Sequence, residues 1–396
     1  MSSVTEAPVT VPGAKGHTDG AGAFVPVQTR SERPRSYAPG DFERPTGREV
    51  NWKHTPVDRL SRLFDDVEGD EGGVSIAVSG PVAGAALGIG TAPRGEVFTP
   101  EDLPSAIAWS RAAEALYVSI PAAAELDEPV VIESVGGGVD LLAHAHLVIE
   151  AQPQSKATVV LRHIGVAQFA QNVEIVVREG AQLEVVTVQQ WDDDAVHAAS
   201  HQARIGRDAT LRHVVVSFGG SVVRVNPDVE LAGTGSRAEL YGLSYSDAGQ
   251  HLESQVYLHH KGAETTGDVL YKGALQGALA RSVWIGDVLI GPDAVGTDSY
   301  EANRNLVLTE GARADSIPNL EIETGDIRGA GHASATGRFD DEQLFYLQAR
   351  GIPEDDARRM VVLGFLSEIV QKVRVPALEA ELFAAIEAEL ALEVGR

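Results

Sequence analysis

Gly180-Ala181-Gln182-Leu183-Glu184-Val185-Val186-Thr187-Val188, Asp208-Ala209-Thr210-Leu211-Arg212-His213-Val214-Val215-Val216 and Arg237-Ala238-Glu239-Leu240-Tyr241-Gly242-Leu243 are three copies of one pattern. Each copy sets a small or turn residue, an alanine and a polar residue before a short run rich in β-branched or aromatic side chains. Gly262-Ala263-Glu264 and Gly311-Ala312-Arg313 echo the turn. A period of roughly 25 to 30 residues with one turn signal per unit is what stacked coils require. A β-sandwich would also supply short, even strands, but it would not repeat the same turn. The pattern predicts a β-solenoid.

Outward from these copies the texture holds. Tyr117-Val118-Ser119-Ile120, Val130-Val131-Ile132, Leu147-Val148-Ile149, Thr158-Val159-Val160-Leu161 and Val173-Glu174-Ile175-Val176-Val177 are strand-like runs with Gly, Asp or Asn nearby. The core is therefore placed at 115–338. Residues 1–45 show scattered Pro, Gly and Arg without a hydrophobic period and read as a flexible arm. Residues 46–114 read as a mostly helical region. Val57, Leu60, Leu63 and Phe64 share one helical face, and Thr99-Pro100 offers a cap for a helix through Leu103, Ile107 and Ala108.

After Arg338 the period becomes helical. Asp340 and Gln343 read as a capping box, and Gly351 as a terminating glycine. Pro353-Glu354-Asp355-Asp356 opens a second helix with rows Val361/Phe365/Ile369/Val373 and Val362/Leu366/Val370. Beyond Pro376 a last helix carries Leu378/Leu382/Ile386/Leu390. A stripe that wide needs a covering surface. It is expected to face partly inward, against the last helix, and partly toward a partner.

Composition excludes several functions. Lys+Arg number 32 against 57 Asp+Glu, a net charge of -25, which repels phosphate backbones and argues against nucleic acid. With no cysteine there is no disulfide, thiolate ligand or thiol nucleophile. No apolar run is long enough for a membrane span, and no secretory leader is evident, which predicts a cytoplasmic protein. No phosphate-cradling loop, Gly-x-Ser-x-Gly elbow or helical two-His zinc motif occurs.

The histidines are the remaining reactive groups. His144 and His146 fall on one strand face and read as packed or solvated more readily than as a metal pair. His259 and His260 must face opposite ways if extended. Asp192-Asp193-Asp194 reads as a solvated turn. His332 stands apart, because Gly329-Ala330-Gly331-His332-Ala333-Ser334-Ala335 leaves one imidazole among small residues that let another backbone come close.

The segments Ser316-Ile317-Pro318-Asn319-Leu320-Glu321-Ile322, Gly331-His332-Ala333-Ser334-Ala335-Thr336-Gly337 and Asp341-Glu342-Gln343-Leu344-Phe345-Tyr346-Leu347-Gln348-Ala349-Arg350-Gly351-Ile352 resemble the SufB/SufD family of iron–sulfur cluster assembly proteins. Tyr271-Lys272-Gly273, Gly286-Asp287 and the run from Asn303 to Leu308 fit the same family. The resemblance implies a mainly β fold, a right-handed parallel β-helix with helical N- and C-terminal regions. It also implies a non-enzymatic scaffold that pairs with SufB and docks the ATPase SufC on region 339–396. Phe345, Arg350, Val361, Phe365, Leu366 and Ile369 are the residues expected there. Iron acquisition and cluster assembly would occur at the heterodimer interface, with His332 as interface residue and metal ligand. No cofactor would be held stably by the chain alone; the iron–sulfur cluster would be transient, and the isolated chain could form a homodimer. SufB-type members receive sulfur on cysteines, so the absence of cysteine places this chain on the SufD side. The family's Gly-Ala-Thr after the histidine is Ala333-Ser334-Ala335 here. The alternative from another class is a β-helix carbohydrate-active enzyme.

Overall fold

The protein is described from a computed structural model covering residues 34–339 and 341–391. Two short antiparallel strands come first, β1 (Val74–Ser79) and β2 (Ala85–Gly88), then helix α1 (Leu103–Arg111) and strand β3 (Glu114–Ile120). Strands β4 (Val130–Ala151) and β5 (Lys156–Val177) are each long enough to supply a whole coil. Shorter strands then follow in pairs: β6 (Gln182–Trp191) with β7 (Val196–Ile205), β8 (Thr210–Ser217) with β9 (Val222–Leu231), and β10 (Arg237–Ser246) with β11 (His251–His260). The last are β12 (Thr266–Leu275) with β13 (Arg281–Ile290), β14 (Thr297–Val307) with β15 (Arg313–Ile322), and finally β16 (Ile327–Arg338).

From β5 onward each strand pairs in parallel with the strand two places on, so one ladder runs through the even-numbered strands and the other through the odd-numbered ones. This is the parallel β-solenoid that the repeat predicts. The turn signature has a physical cause. Ala123, Gln154, Gly180, Asp208, Gly235, Glu264 and Gly296 all have φ between 53° and 73°. Their amides donate to the next coil's turn at Pro153, Glu179, Arg207, Thr234, Ala263, Val295 and Asp326, at 2.7–3.0 Å. One left-handed residue at this corner of each coil thus aims the turn amide along the solenoid axis, satisfying a donor that the sheets cannot reach. The alanines just after, Ala181 and Ala209, are fully buried under the turn.

Inward side chains form one apolar column, including Val159, Ile175, Val185, Leu211, Val225, Leu240, Val256 and Val269. Fully burying each such side chain contributes about 1.5–3 kcal/mol. Polar groups are threaded through it. His163 bonds Gln171 at 3.0 Å, His197 bonds Gln189 at 2.9 Å, and His201 bonds His213 at 2.9 Å. Burial lowers the His163 and His213 pKa values to about 4, so these rings are neutral at pH 7 and can pair without a charge. A void of about 20 Å³ lined by Ser217, Ser244, Ser254, Ser282, Tyr271 and Asn303 is sized for roughly one water.

The outer faces of both ladders are covered by the termini. On the odd side lie Trp52, Leu60, Leu63, Phe64, Leu103 and Ile107, packed on Ala170, Val196, Ala198 and Val222. Region 46–114, expected to be mostly helical, is helical at Val57–Phe64, as a 3-10 segment, and in α1, with β1 and β2 between them. The cap of α1 is Asp102 in a box with Ser105, not Thr99. Its side chain offers the N3 amide an acceptor where Thr99 lies too early. Residues 34–45, placed in a flexible arm by sequence, are seated instead: Ser36 N–H donates to Pro100 O at 3.1 Å, and the Tyr37 ring lies 4.7 Å from Trp109.

On the even side lie helices α2 (Asp341–Gln348), α3 (Glu354–Val370) and α4 (Pro376–Ala391). Val362, Leu366, Ile369, Val370, Leu378, Leu382 and Ile386 pack against Val186, Val214, Val216, Tyr241 and Leu243. The Lys272 ammonium anchors α3, donating to Phe365 O at 2.8 Å and pairing with Glu368 at 2.6 Å. Gly351, with φ +87°, closes α2 as expected. The Asp340–Gln343 capping box lies outside the described residues.

Two predictions follow from the packing. Buried Glu253 accepts from Thr55 Oγ1 at 2.8 Å, Gln255 Nε2 at 2.7 Å and Arg224 Nε at 3.1 Å, with His251 Nε2 at 2.8 Å. Burial would raise its pKa, but His251 and Arg224 outweigh burial and hold it at about 2. A depressed carboxyl pKa stabilises fully above the unfolded value of about 4.3 and is lost as pH falls toward 2. Glu253→Gln should therefore cost about 3 kcal/mol near neutrality. In urea titrations its deficit against wild type should shrink between those two pH values. Gly235→Ala would place a Cβ 2.4 Å from Asp208 Oδ1 at a φ of +72°. It should cost about 1–3 kcal/mol, read as an unfolding-midpoint shift; the same change at Gly40, with open space around it, should cost far less.

Candidate functional site at the open end of the solenoid

The two ends of the solenoid are finished differently. At the N-terminal end, β1 pairs antiparallel with the first half of β4, while β3 pairs in parallel with its second half and carries β2. Val74, Ile76, Val78 and Leu116 from these strands seal the apolar column. At the other end the ladders stop at β15 and β16, and among the described residues nothing pairs with their outer edges. Both strands are half-buried or exposed along their length. Val295, Tyr300 and Ile322 leave exposed apolar surface there.

His332 sits in this last strand. It is in register with Glu301 of β14, and in-register neighbours in a parallel pair point to the same face. Glu301 reaches into the interior, because a Cβ built on Gly286, in the opposite ladder, would lie 2.3 Å from its Oε2. His332 therefore also belongs to the inward-facing row. With no further coil above, its imidazole remains 45% exposed. The row continues with Ser334, whose Oγ bonds Ser316 Oγ at 2.8 Å, and with Thr336 near Asn305 Nδ2 at 3.4 Å. Ala330 and Ser334 are its small neighbours in that row, while Gly331, Ala333 and Ala335 alternate to the other face and keep the strand thin there.

Beneath His332, Glu301 is almost completely buried; its Oε1 lies 3.8 Å from His332 Nδ1. Apart from a weak interaction with the Asn319 amide, neither carboxyl oxygen has a partner at hydrogen-bond geometry. Burial, with the Asp287 charge adding to it, raises the Glu301 pKa to about 8 against a small opposing effect of the Asn319 amide. Asp287 is itself held by Asn319 Nδ2 at 2.7 Å. Sequence reading passed over Glu301. Its one signal is parity, since it shares the inward phase with Asn303 and Asn305 in a strand that is polar on both faces.

The other candidates resolve plainly. His146 is buried edge-on against Phe98 and Trp109, 3.4 Å from Glu174, and His144 Nε2 lies 3.1 Å from Val67 O. Both serve packing of the N-terminal segment. His259 and His260 do face opposite ways, the latter inward against Thr265 and Ser299. Asp192–Asp194 is an exposed turn. Of the expected docking residues, Leu366 and Ile369 are fully buried against the solenoid and are not a free surface. Their apolar stripe is satisfied within the chain. Val361 and Phe365 are half-buried; Phe345 and Arg350 are exposed, together with Tyr346 and Met360. Among the described residues no three His, Asp or Glu side chains converge as a metal site. His332 and Glu301 thus make at most half of one.

Comparison with known proteins agrees with this architecture. The family described as SUF system FeS cluster assembly, SufBD core domain, matches residues 134–365, more than half of the chain. Iron–sulfur cluster assembly SufBD family proteins of Mycobacterium bovis and Mycobacterium tuberculosis are 47% identical over 390 residues, covering 96% of this chain and 97% of theirs. The iron–sulfur cluster assembly protein SufD of Escherichia coli is 27% identical over 264 residues, 65% of this chain and 61% of that protein. A parallel solenoid whose coils carry this signature, with near full-length identity of that order, makes the chain a member of the SufBD family of iron–sulfur cluster assembly proteins.

Proposed function

We propose that this chain is a SufD-type, non-enzymatic scaffold of a cytoplasmic SUF complex. Its open solenoid end pairs with a SufB-type paralogue, its C-terminal helices seat a SufC-type ATPase, and a nascent iron–sulfur cluster, the cargo, is assembled beside His332. The observation that carries this reading is the exposed imidazole of His332, set in a last strand of small residues whose outer edge has no partner among the described residues. Unpaired strand edges are templates for another strand, and Tyr300 and Ile322 supply apolar area beside them. The low flanks of His332 admit a second backbone.

Chemistry points to a shared site. The chain has no thiolate that could take sulfane sulfur from a donor persulfide, so sulfur would arrive on another subunit. Neutral imidazole is a good donor to iron, but one imidazole cannot complete a coordination shell. The missing ligands would come from the paired chain and from sulfide. The carbohydrate-enzyme alternative is left without an observation in its favour.

For the ATPase, the exposed Phe345, Tyr346, Met360 and Arg350 form the available surface, with Val361 and Phe365 at its margin. Deleting everything after Arg338 would strip the cover from the even ladder and test folding rather than docking. Point changes are the sounder probe. Phe345→Asp with Met360→Asp should abolish ATPase binding in light scattering after size-exclusion chromatography, and Ile322→Asp should abolish pairing with the SufB paralogue. A wild-type chain that ignores both partners would overturn the proposal. In the assembled complex His332→Ala should leave stoichiometry and thermal midpoint unchanged while lowering cluster formation at least about tenfold; unaltered cluster formation would remove His332 from the site.

A further inference from the structure

We propose that Glu301 is the positioning residue of the His332 site. It accepts the Nδ1 proton of the imidazole from below and so presents the Nε2 lone pair outward at the open end of the solenoid. This inference deepens the proposed role of His332 and rests on it.

Three independent features of the structure meet at this pair. The register sets Glu301 directly beneath His332 on the same face, with Oε1 3.8 Å from Nδ1. A small rotation of either side chain closes that gap to a hydrogen bond, and such contacts are commonly long before a ligand binds. Next, the Glu301 carboxyl is buried with no side-chain donor at hydrogen-bond geometry and only a weak interaction with the Asn319 amide. A buried acceptor short of donors costs stability, and an apolar residue of similar volume would not.

Finally, the space it occupies exists because Gly286 has no side chain: a Cβ there would meet Glu301 Oε2 and the Trp284 ring, each at 2.3 Å. The Gly286-Asp287 pair, conspicuous in the sequence, thereby acquires a role. It opens the cavity under the histidine and adds a second negative charge nearby. A carboxylate behind a histidine is the usual means of fixing ring orientation and tautomer for a ligand nitrogen.

The test uses the full chain labelled with 15N-histidine, with His332 assigned by loss of its signals in His332→Ala. Ring nitrogens are read by long-range 1H–15N correlation at about pH 9, where free imidazole is neutral and its tautomer can be read. Wild type should show the Nδ1–H tautomer. Glu301→Leu, which keeps volume and removes the acceptor, should revert to the Nε2–H form of free imidazole. Glu301→Gln, whose amide oxygen still accepts, should retain Nδ1–H. The Leu variant should also unfold a few degrees higher than wild type in isolation, yet support less cluster formation in the complete complex.

The Nε2–H tautomer in wild type, or an unchanged tautomer in Glu301→Leu, would overturn the inference. A lower thermal midpoint for the Leu variant would make Glu301 structural and overturn it equally. The tautomer is read without any partner, so failure of the assembly role would leave this outcome legible.

Discussion

Every strand of this protein depends on the coil before it and the coil after it for its backbone hydrogen bonds. In a parallel solenoid those bonds run along the axis, from sheet to sheet and, here, through a column of left-handed turn residues from Ala123 to Gly296. Such a stack has no internal reason to stop. It must be closed at its ends or be paired there. At the N-terminal end β1 turns the ladder antiparallel on the first half of β4, β3 adds one more parallel strand edged by antiparallel β2, and Val74, Ile76 and Val78 seal the column. The opposite end is left with its last edges unsatisfied, and the exposed histidine lies there.

The lateral faces pose a separate problem. A two-ladder solenoid has apolar outer surfaces as well as an apolar interior, and each terminus of the chain solves half of that. The N-terminal segment, clamped through Glu253, Arg224 and Thr55, covers the odd ladder. The helices α3 and α4, held by Lys272 and by Leu366, Ile369 and Leu382, cover the even one. The inner face of these helices is part of the fold, and Phe345, Tyr346 and Met360 stay exposed on their outer side.

At the open end the usual rules of interior packing relax. Coils further in bond several of their inward polar groups to one another, as His163 with Gln171 or His201 with His213, though Tyr271 and Trp284 each bury an unpartnered polar atom. In the last coils Glu301 is buried with only the Asn319 amide near it, and His332 projects from the inward row into solvent. The missing next coil is what leaves His332 uncovered.

Much of this was legible in the chain. The spaced turn signatures beginning at Gly180 and Asp208 determined a solenoid, because a left-handed turn must recur at the same corner wherever coils stack; in the third copy that residue is Gly235, two places before Arg237. The helical periods after Arg338 determined the C-terminal helices, and the small residues around His332 marked the site proposed for it. Other features depended on residues far apart in sequence. Which face of α3 is buried was decided by the even ladder, so Leu366 and Ile369 proved internal although they lie in the same apolar stripe as half-buried Val361 and Phe365. The seat of residues 34–45 was decided by Trp109 and Pro100, and the meeting of Glu301, Gly286 and His332 by coil register. Periodicity is a local property and can be read along the chain; burial and proximity belong to the stacked whole, and only the tertiary structure brings those groups together.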